Sequence, residues 1–288
     1  MSAAVPYDAR AVFSRLSKWP VVAGIPLTLA ALAARADWTR INMPEGVSVL
    51  SREIHSVHMI MYWICLAIAV VTFGAMILAM IRFRKSRGAV ADQKMLHNAR
   101  LEAVWTIIPV FILVAMAIPS VDKLIVIEDT TESGLTIKVT GHQWFWHYEY
   151  LDKGVSFYSR LARDSDLARQ RGSGIDPRTV PNYLLDVDKP LVVPTGVKIR
   201  LLLTANDVIH AWWVPDFGMK RDAVPGFINE MWIQVDEDKP GTYRGQCAEL
   251  CGFDHGFMPV VVVAKPEEEF DAWLAGQQRA AAKVARTE

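Results

Sequence analysis

Residues Cys247–Met258 read CAELCGFDHGFM. The stretch puts Cys247, Cys251, His255 and Met258 in one short loop, with Glu249 between the two thiols. Thiolates, an imidazole and a thioether are soft or borderline donors, a combination that suits copper. They are more ligands than one copper needs, and their spacing fits a pair of coppers bridged by both thiolates. Each copper then needs one further nitrogen. His255 supplies one, and His210, in NDVIHAWW, is the best candidate for the other. Two other readings compete. A Cys247–Cys251 disulfide suits an extracytoplasmic domain but explains neither His255 nor Met258. Zinc takes two Cys and two His but does not need Met258. Copper accounts for the whole set.

The sequence on either side of this loop reads as β-structure. LTIKVTGHQWFWHYEY, Leu135 to Tyr150, alternates and is rich in β-branched and aromatic residues. PLVVPTGVKIRLLLTAND holds two strand-like runs around a Pro-Thr-Gly turn, and FINEMWIQVD and PGTYRGQC follow the same style. MPVVVVAKP reads as a last strand. Short strands at this spacing predict a Greek-key sandwich. PEEEFDAWLAGQQRAAAKVA then reads as a closing amphipathic helix with acidic residues in its first turn. Residues 160–182 are polar and rich in turn formers, which suggests a surface insertion whose role the sequence leaves open.

The chain's apolar content is high, with 52% hydrophobic residues and a mean hydropathy of +0.18. Two uncharged runs, Met59–Ile81 and Ala103–Val121, account for it. At about 1.5 Å per residue the first reaches roughly 34 Å, enough to cross a bilayer core. Pro109 and Pro119 in the second are tolerated in a membrane helix and can kink it or mark its end. Between the runs lie Arg82, Arg84, Lys85, Arg87, Lys94 and Arg100 against Asp92 and Glu102. Short basic loops stay in the cytoplasm, so the runs form a hairpin with both ends outside. Near the N-terminus, Arg15 and Lys18 precede an apolar run ending Ala34-Arg35-Ala36, which reads as a secretory signal cleaved before Asp37. An uncleaved third helix is the alternative.

With 288 residues the chain is long enough for one or two domains, and a formal net charge of +0 gives nothing that points to nucleic acid. Of the three cysteines, Cys65 sits in an apolar run and reads as inert packing. No C-x-x-C-H occurs, so no c-type haem attachment motif is present.

From Asn42 to Trp273 the chain resembles subunit 2 of the cytochrome c oxidases of the haem-copper superfamily. The resemblance rests on the two spans, GHQWFWHYEY, NDVIHAWWVPDFGMKRDAVPG and QCAELCGFDHGFMP, in that order and spacing. It implies a two-helix transmembrane hairpin followed by an all-β cupredoxin-like Greek-key sandwich. Residues 1–36 would be the signal, 37–122 the N-terminal segment and hairpin, 123–275 the periplasmic cupredoxin domain and 276–288 a helical tail. The protein would lie in a bacterial inner membrane with the copper domain facing the periplasm.

The same resemblance assigns roles. Cys247 and Cys251 would be bridging thiolates of the binuclear CuA centre, with His210 and His255 on one copper each. Met258 and the Glu249 carbonyl would be weak axial ligands, and the Glu249 carboxylate would reach a magnesium ion at the boundary with subunit 1. Trp144 would take electrons from cytochrome c, which would dock on Glu149, Asp188 and Asp207. Glu102 would mark the entrance of the proton pathway into subunit 1; a helix-dipole role is its plainer account. Electrons would pass to haem a in subunit 1, where oxygen is reduced, and subunit 3 would complete the partners. Most relatives carry Tyr and Ser where this chain has Phe145 and His147. Two alternatives differ in class. A quinol oxidase subunit 2 lacks the copper ligands, and a membrane-anchored copper carrier leaves Trp144 and Glu102 unexplained.

Overall fold

The computed structural model of the chain describes residues 42–90 and 97–284. The signal-like segment 1–36, the loop residues Asp92 and Lys94, and residues 285–288 lie outside the described residues.

Among the described residues, two long helices come first. Helix α1 spans Val49–Arg82 and α2 spans Ala99–Glu128. Each is longer than the apolar run inside it, because polar residues continue both helices and cap them. At α1, the Ser48 hydroxyl accepts from the Ser51 amide while the Ser51 hydroxyl accepts from the Ser48 amide, a reciprocal cap. At α2, the Asn98 side chain accepts from the Leu101 amide and the Glu102 carboxylate accepts from the Asn98 amide. Helix α2 runs through Pro109 and Pro119 without ending at either. Mean hydropathy reaches 2.7 in α1 and 2.3 in α2, and the apolar windows have no buried residues. Where the apolar runs stop, a 2.9 Å ion pair between Lys123 and Glu53 ties α2 to α1.

Ten strands follow: β1 Leu135–His142, β2 Phe145–Tyr150, β3 Val155–Ser159, β4 Leu191–Pro194, β5 Ile199–Ala205, β6 His210–Trp213, β7 Lys220–Ala223, β8 Asn229–Ile233, β9 Gly241–Cys247 and β10 Pro259–Lys265. They form two sheets, ordered β3-β2-β1-β5-β8 and β4-β10-β9-β6-β7. The run 135–150 breaks at Gln143–Trp144 into a hairpin, with His142 opposite Phe145. Strand alternation sends Ile137, Val139, Trp146, Tyr148, Tyr150, Leu201 and Leu203 into the space between the sheets. Strands β3, β6 and β7 are additions to the strands expected from sequence. Their segments are short or polar, and pairing makes them strands: β3 with β2, β6 with β9, and β7 with β6.

Buried polar tips lock one sheet to the other. The Tyr150 hydroxyl donates to the Val192 carbonyl at 2.7 Å and accepts from the Val192 amide at 3.0 Å. The Trp212 indole donates to the Tyr148 hydroxyl at 3.2 Å. Such rings combine a large apolar area with a satisfied polar atom, and truncating one to alanine would cost about 3–5 kcal/mol. Helix α4, Glu267–Val284, closes the sandwich with Phe270 and Leu274 in the core and continues past residue 275.

The sandwich is keyed to the hairpin. Val47 exchanges backbone hydrogen bonds with Asp216 and Asp236. Arg52 pairs with Asp236 and Arg221 with Glu128, and the Trp232 indole donates to the Val126 carbonyl. The segment 160–182 is less superficial than its composition suggests. It contains helix α3, Arg163–Ala168, whose Ser165 and Ala168 are buried.

Candidate metal centre

The donors meet at one end of the sandwich. Strand β9 ends on Cys247, the loop turns back through Cys251, and a short 3-10 turn at His255–Phe257 brings Met258 to the start of β10. Pairing of β6 with β9 sets His210 beside Cys247. Both thiols are free. Their sulfurs are 3.8 Å apart, far beyond a disulfide's ~2.05 Å but close enough for a metal at about 2.3 Å to touch both. His210 Nδ1 is 3.9 Å from the Cys247 sulfur, and His255 Nδ1 is 3.5 Å from the Cys251 sulfur. The Met258 sulfur is 3.5 Å from the Cys251 sulfur, and the Glu249 carbonyl oxygen is 3.3 Å from the Cys247 sulfur. His210 is 0% exposed, and Cys247, Cys251 and Met258 are buried with it.

The electrostatics suit a cation. Burial raises both thiols. At Cys247, contacts with His210 and with the backbone of Ala211 and Glu249 more than offset burial, so this thiol ionises below the ordinary cysteine range. At Cys251, the charge on Cys247 adds to burial, and the thiol is held well above that range. A cation touching both sulfurs supplies the charge that the second ionisation needs. The donor set therefore fits copper: two sulfurs, two imidazole nitrogens and a thioether, all buried but the half-buried His255.

The surroundings fix the ligands. His210 Nε2 lies 2.8 Å from an Asp207 oxygen. The other Asp207 oxygen accepts from the Gln143 amide. Gly141 lies under His210, where an added Cβ would sit 2.8 Å from the ring. The Trp144 indole donates to the Cys251 carbonyl at 3.1 Å, and the Gln143 side chain donates to the same oxygen at 2.8 Å. The Trp146 indole reaches the Met258 carbonyl at 3.4 Å.

The remaining candidates are placed elsewhere. Glu149 faces outward and pairs with Lys138 at 2.8 Å. Asp188 is exposed and accepts from the Arg160 amide. Glu102 caps α2, the helix end of the hairpin loop. The Glu249 side chain is exposed. Sequence reasoning passed over Gly141 and Gln143 as supports of the site. Gly141 in GHQWFW carried a signal, since a glycine inside a strand marks a close approach.

Residues 36–122 match the family described as cytochrome C oxidase subunit II, transmembrane domain, and residues 135–265 match its periplasmic domain. A probable cytochrome c oxidase subunit 2 of Rickettsia bellii (strain RML369-C) is 40% identical over 236 residues, covering 82% of this chain and 83% of the relative. The chain belongs to the cytochrome c oxidase subunit II family. The subunit 2 of Myxine glutinosa is 32% identical over 239 residues, covering 83% of this chain and 97% of that one. The crystal structure of the periplasmic domain of subunit II of cytochrome oxidase of Bradyrhizobium japonicum is 39% identical, covers 52% of this chain and 98% of that chain, and gives a TM-score of 0.44.

Membership in this family makes the chain an electron-transfer subunit of an oxidoreductase complex, partnered with subunit 1. Its two apolar helices sit in the inner membrane and its copper domain faces the periplasm. The His210, Cys247 and Cys251 cluster is a CuA-like ligand set.

Proposed function

We propose that the centre holds two coppers and that this chain takes single electrons from cytochrome c and passes them to haem a of subunit 1. The observation that carries the reading is the meeting of five donor side chains, the buried His210, Cys247, Cys251 and Met258 and the half-buried His255, around sulfurs 3.8 Å apart. Cys247, Cys251, His210 and His255 would hold the coppers, with Met258 and the Glu249 carbonyl as further donors. A copper pair held there would supply one-electron transfer with little rearrangement.

The chain's own residues keep that rearrangement small. Asp207 fixes the His210 ring, Trp146 holds Met258, and β-sheet pairing fixes Cys247. Trp144 would bring electrons in, since its indole bonds directly to the Cys251 carbonyl. Glu149, Asp188 and Asp207 would draw in a basic partner. The Glu249 carboxylate would face a magnesium ion at the subunit 1 boundary, Glu102 would stand at the start of the proton path, and subunit 3 would complete the complex. A copper carrier needs an exposed, exchangeable ion, and the burial of His210, Cys247, Cys251 and Met258 favours the electron-transfer reading.

The test is an EPR spectrum of the copper-loaded full-length chain. Hyperfine structure from one electron shared by two equivalent coppers is the expected result. A single-copper pattern, or no bound copper, overturns the reading.

A further inference from the structure

We infer that Arg169, in the segment 160–182, is a positioning residue that clamps the loop carrying His255 and Met258. The inference rests on the copper reading of this loop and adds to it a control point outside the ligand set. The Arg169 guanidinium forks onto Asp254, with Nη1 3.1 Å from one carboxylate oxygen and Nη2 3.3 Å from the other. Its Nε donates to Asp166 at 2.8 Å, and its plane lies 4.4 Å from the Phe257 ring centre. Asp254 precedes His255, and Phe257 precedes Met258. One side chain therefore grips the two residues that adjoin both ligands.

The loop needs such a grip. Gly252 and Gly256 loosen it on either side of Asp254, and Gly252 sits at φ +114, in the left-handed region. The Asp254 carboxylate caps no turn. A bidentate, partly buried guanidinium–carboxylate pair fixes orientation as well as distance, which a lysine cannot do. The side chains of Arg169 and Asp254 are 26% and 19% exposed, so the pair is shielded from much of the screening that weakens surface pairs.

The base of the clamp is itself fixed. Ser165 is buried and accepts from the Leu184 amide, Ala162 donates to the Asp186 carbonyl, and Asp186 is held by Arg244 of β9. The segment is thus tied to the same strand that ends on Cys247. A cleft of about 250 Å³ between Arg169, Asp254, Phe257 and Trp144 leaves the clamp open to solvent on one side.

The test compares Arg169→Met, Arg169→Lys and Arg178→Met in the assembled, copper-loaded oxidase. Arg178 pairs with Asp176 in the same segment but is largely exposed, so it controls for general effects. The readouts are copper loss to a chelator, the EPR and visible signature, and the midpoint potential of the centre. Removing a partner of a ligand loop weakens metal retention by about 10–100-fold. Arg169→Met is expected to show that loss with a shifted signature, Arg169→Lys an intermediate one, and Arg178→Met wild-type values.

Wild-type retention, signature and potential in Arg169→Met overturn the inference. Should Arg169→Met fail to assemble, Arg169→Lys decides. It keeps the charge and loses the fork, so wild-type values in it also overturn the inference. A wild-type chain that holds no copper would instead overturn the copper reading beneath it.

Discussion

Asp207 sets the direction in which His210 faces. Its carboxylate lies 2.8 Å from Nε2, while Nδ1 points at the Cys247 sulfur 3.9 Å away. An ionised carboxylate only accepts, so Nε2 carries the proton and Nδ1 keeps its lone pair for a metal. Burial raises Asp207, but its bonds from His210 and from the amides of Val208 and Gln143 outweigh that and hold it below the usual carboxylate range. His210 shows the converse: burial lowers it, and contacts with Cys247 and Asp207 more than restore it.

Replacing Asp207 should therefore act on the metal. Asp207→Ala is expected to weaken copper affinity by about 10–100-fold, and Asp207→Asn, which keeps an acceptor, by less. Copper titration with a competing chelator measures both. Unchanged copper affinity together with a flattened salt dependence of cytochrome c turnover would instead make Asp207 a docking acid alone.

Gly141 is tested through packing. A methyl group there would meet the His210 ring at 2.8 Å on a strand paired on both sides, so neither element can give way easily. Gly141→Ala is expected to destabilise the domain by about 1–3 kcal/mol and to lower copper affinity, read by thermal unfolding of metal-free and loaded protein. Destabilisation of the metal-free form with unaltered affinity would show that the strand, not His210, absorbs the strain.

Trp144 offers a cleaner separation of roles. Trp144→Phe removes the indole hydrogen bond to the Cys251 carbonyl, while Gln143 still donates to that oxygen. The expected outcome is an unchanged copper spectrum and slower reduction by cytochrome c under stopped flow. Equal reduction rates would place electron input elsewhere on this face.

Legibility from sequence divided along physical lines. The hairpin was readable because uncharged runs such as Met59–Ile81 have few other uses. The donor loop was readable because its chemistry is local: Cys247, Cys251, His255 and Met258 are close in the chain, and only His210 had to be brought from afar. What holds those donors was hidden. Asp207 looks like any loop acid until the strand β6 register turns it onto His210. Arg169 and Asp254 are 85 residues apart and come together only through tertiary packing. Strands β6 and β7 escaped notice because HAWW and KRDA lack alternation, and their partners make them strands.

His142 and His147 give the fold a pH dependence of known sign. They sit on the outer face of the first sheet, where His142 stacks on Phe145 at 4.8 Å and His147 on Tyr158 at 4.5 Å. Partial burial lowers both below the ordinary value of 6.5; Asp207 opposes the shift at His142, and Glu149 opposes it at His147. The unfolded chain then binds these protons more readily than the folded one, so stability is complete above about pH 6.5 and falls as the pH drops through the lower, folded-state values. Metal-free wild-type protein should melt at a lower temperature at pH 5.5 than at pH 7.5. The double variant His142→Gln/His147→Gln should lose less over the same interval, because neither replacement titrates. An identical loss in both proteins would assign the acid sensitivity to other groups, such as the Cys247 thiol, whose depressed pKa gives a loss of the same sign as the pH falls.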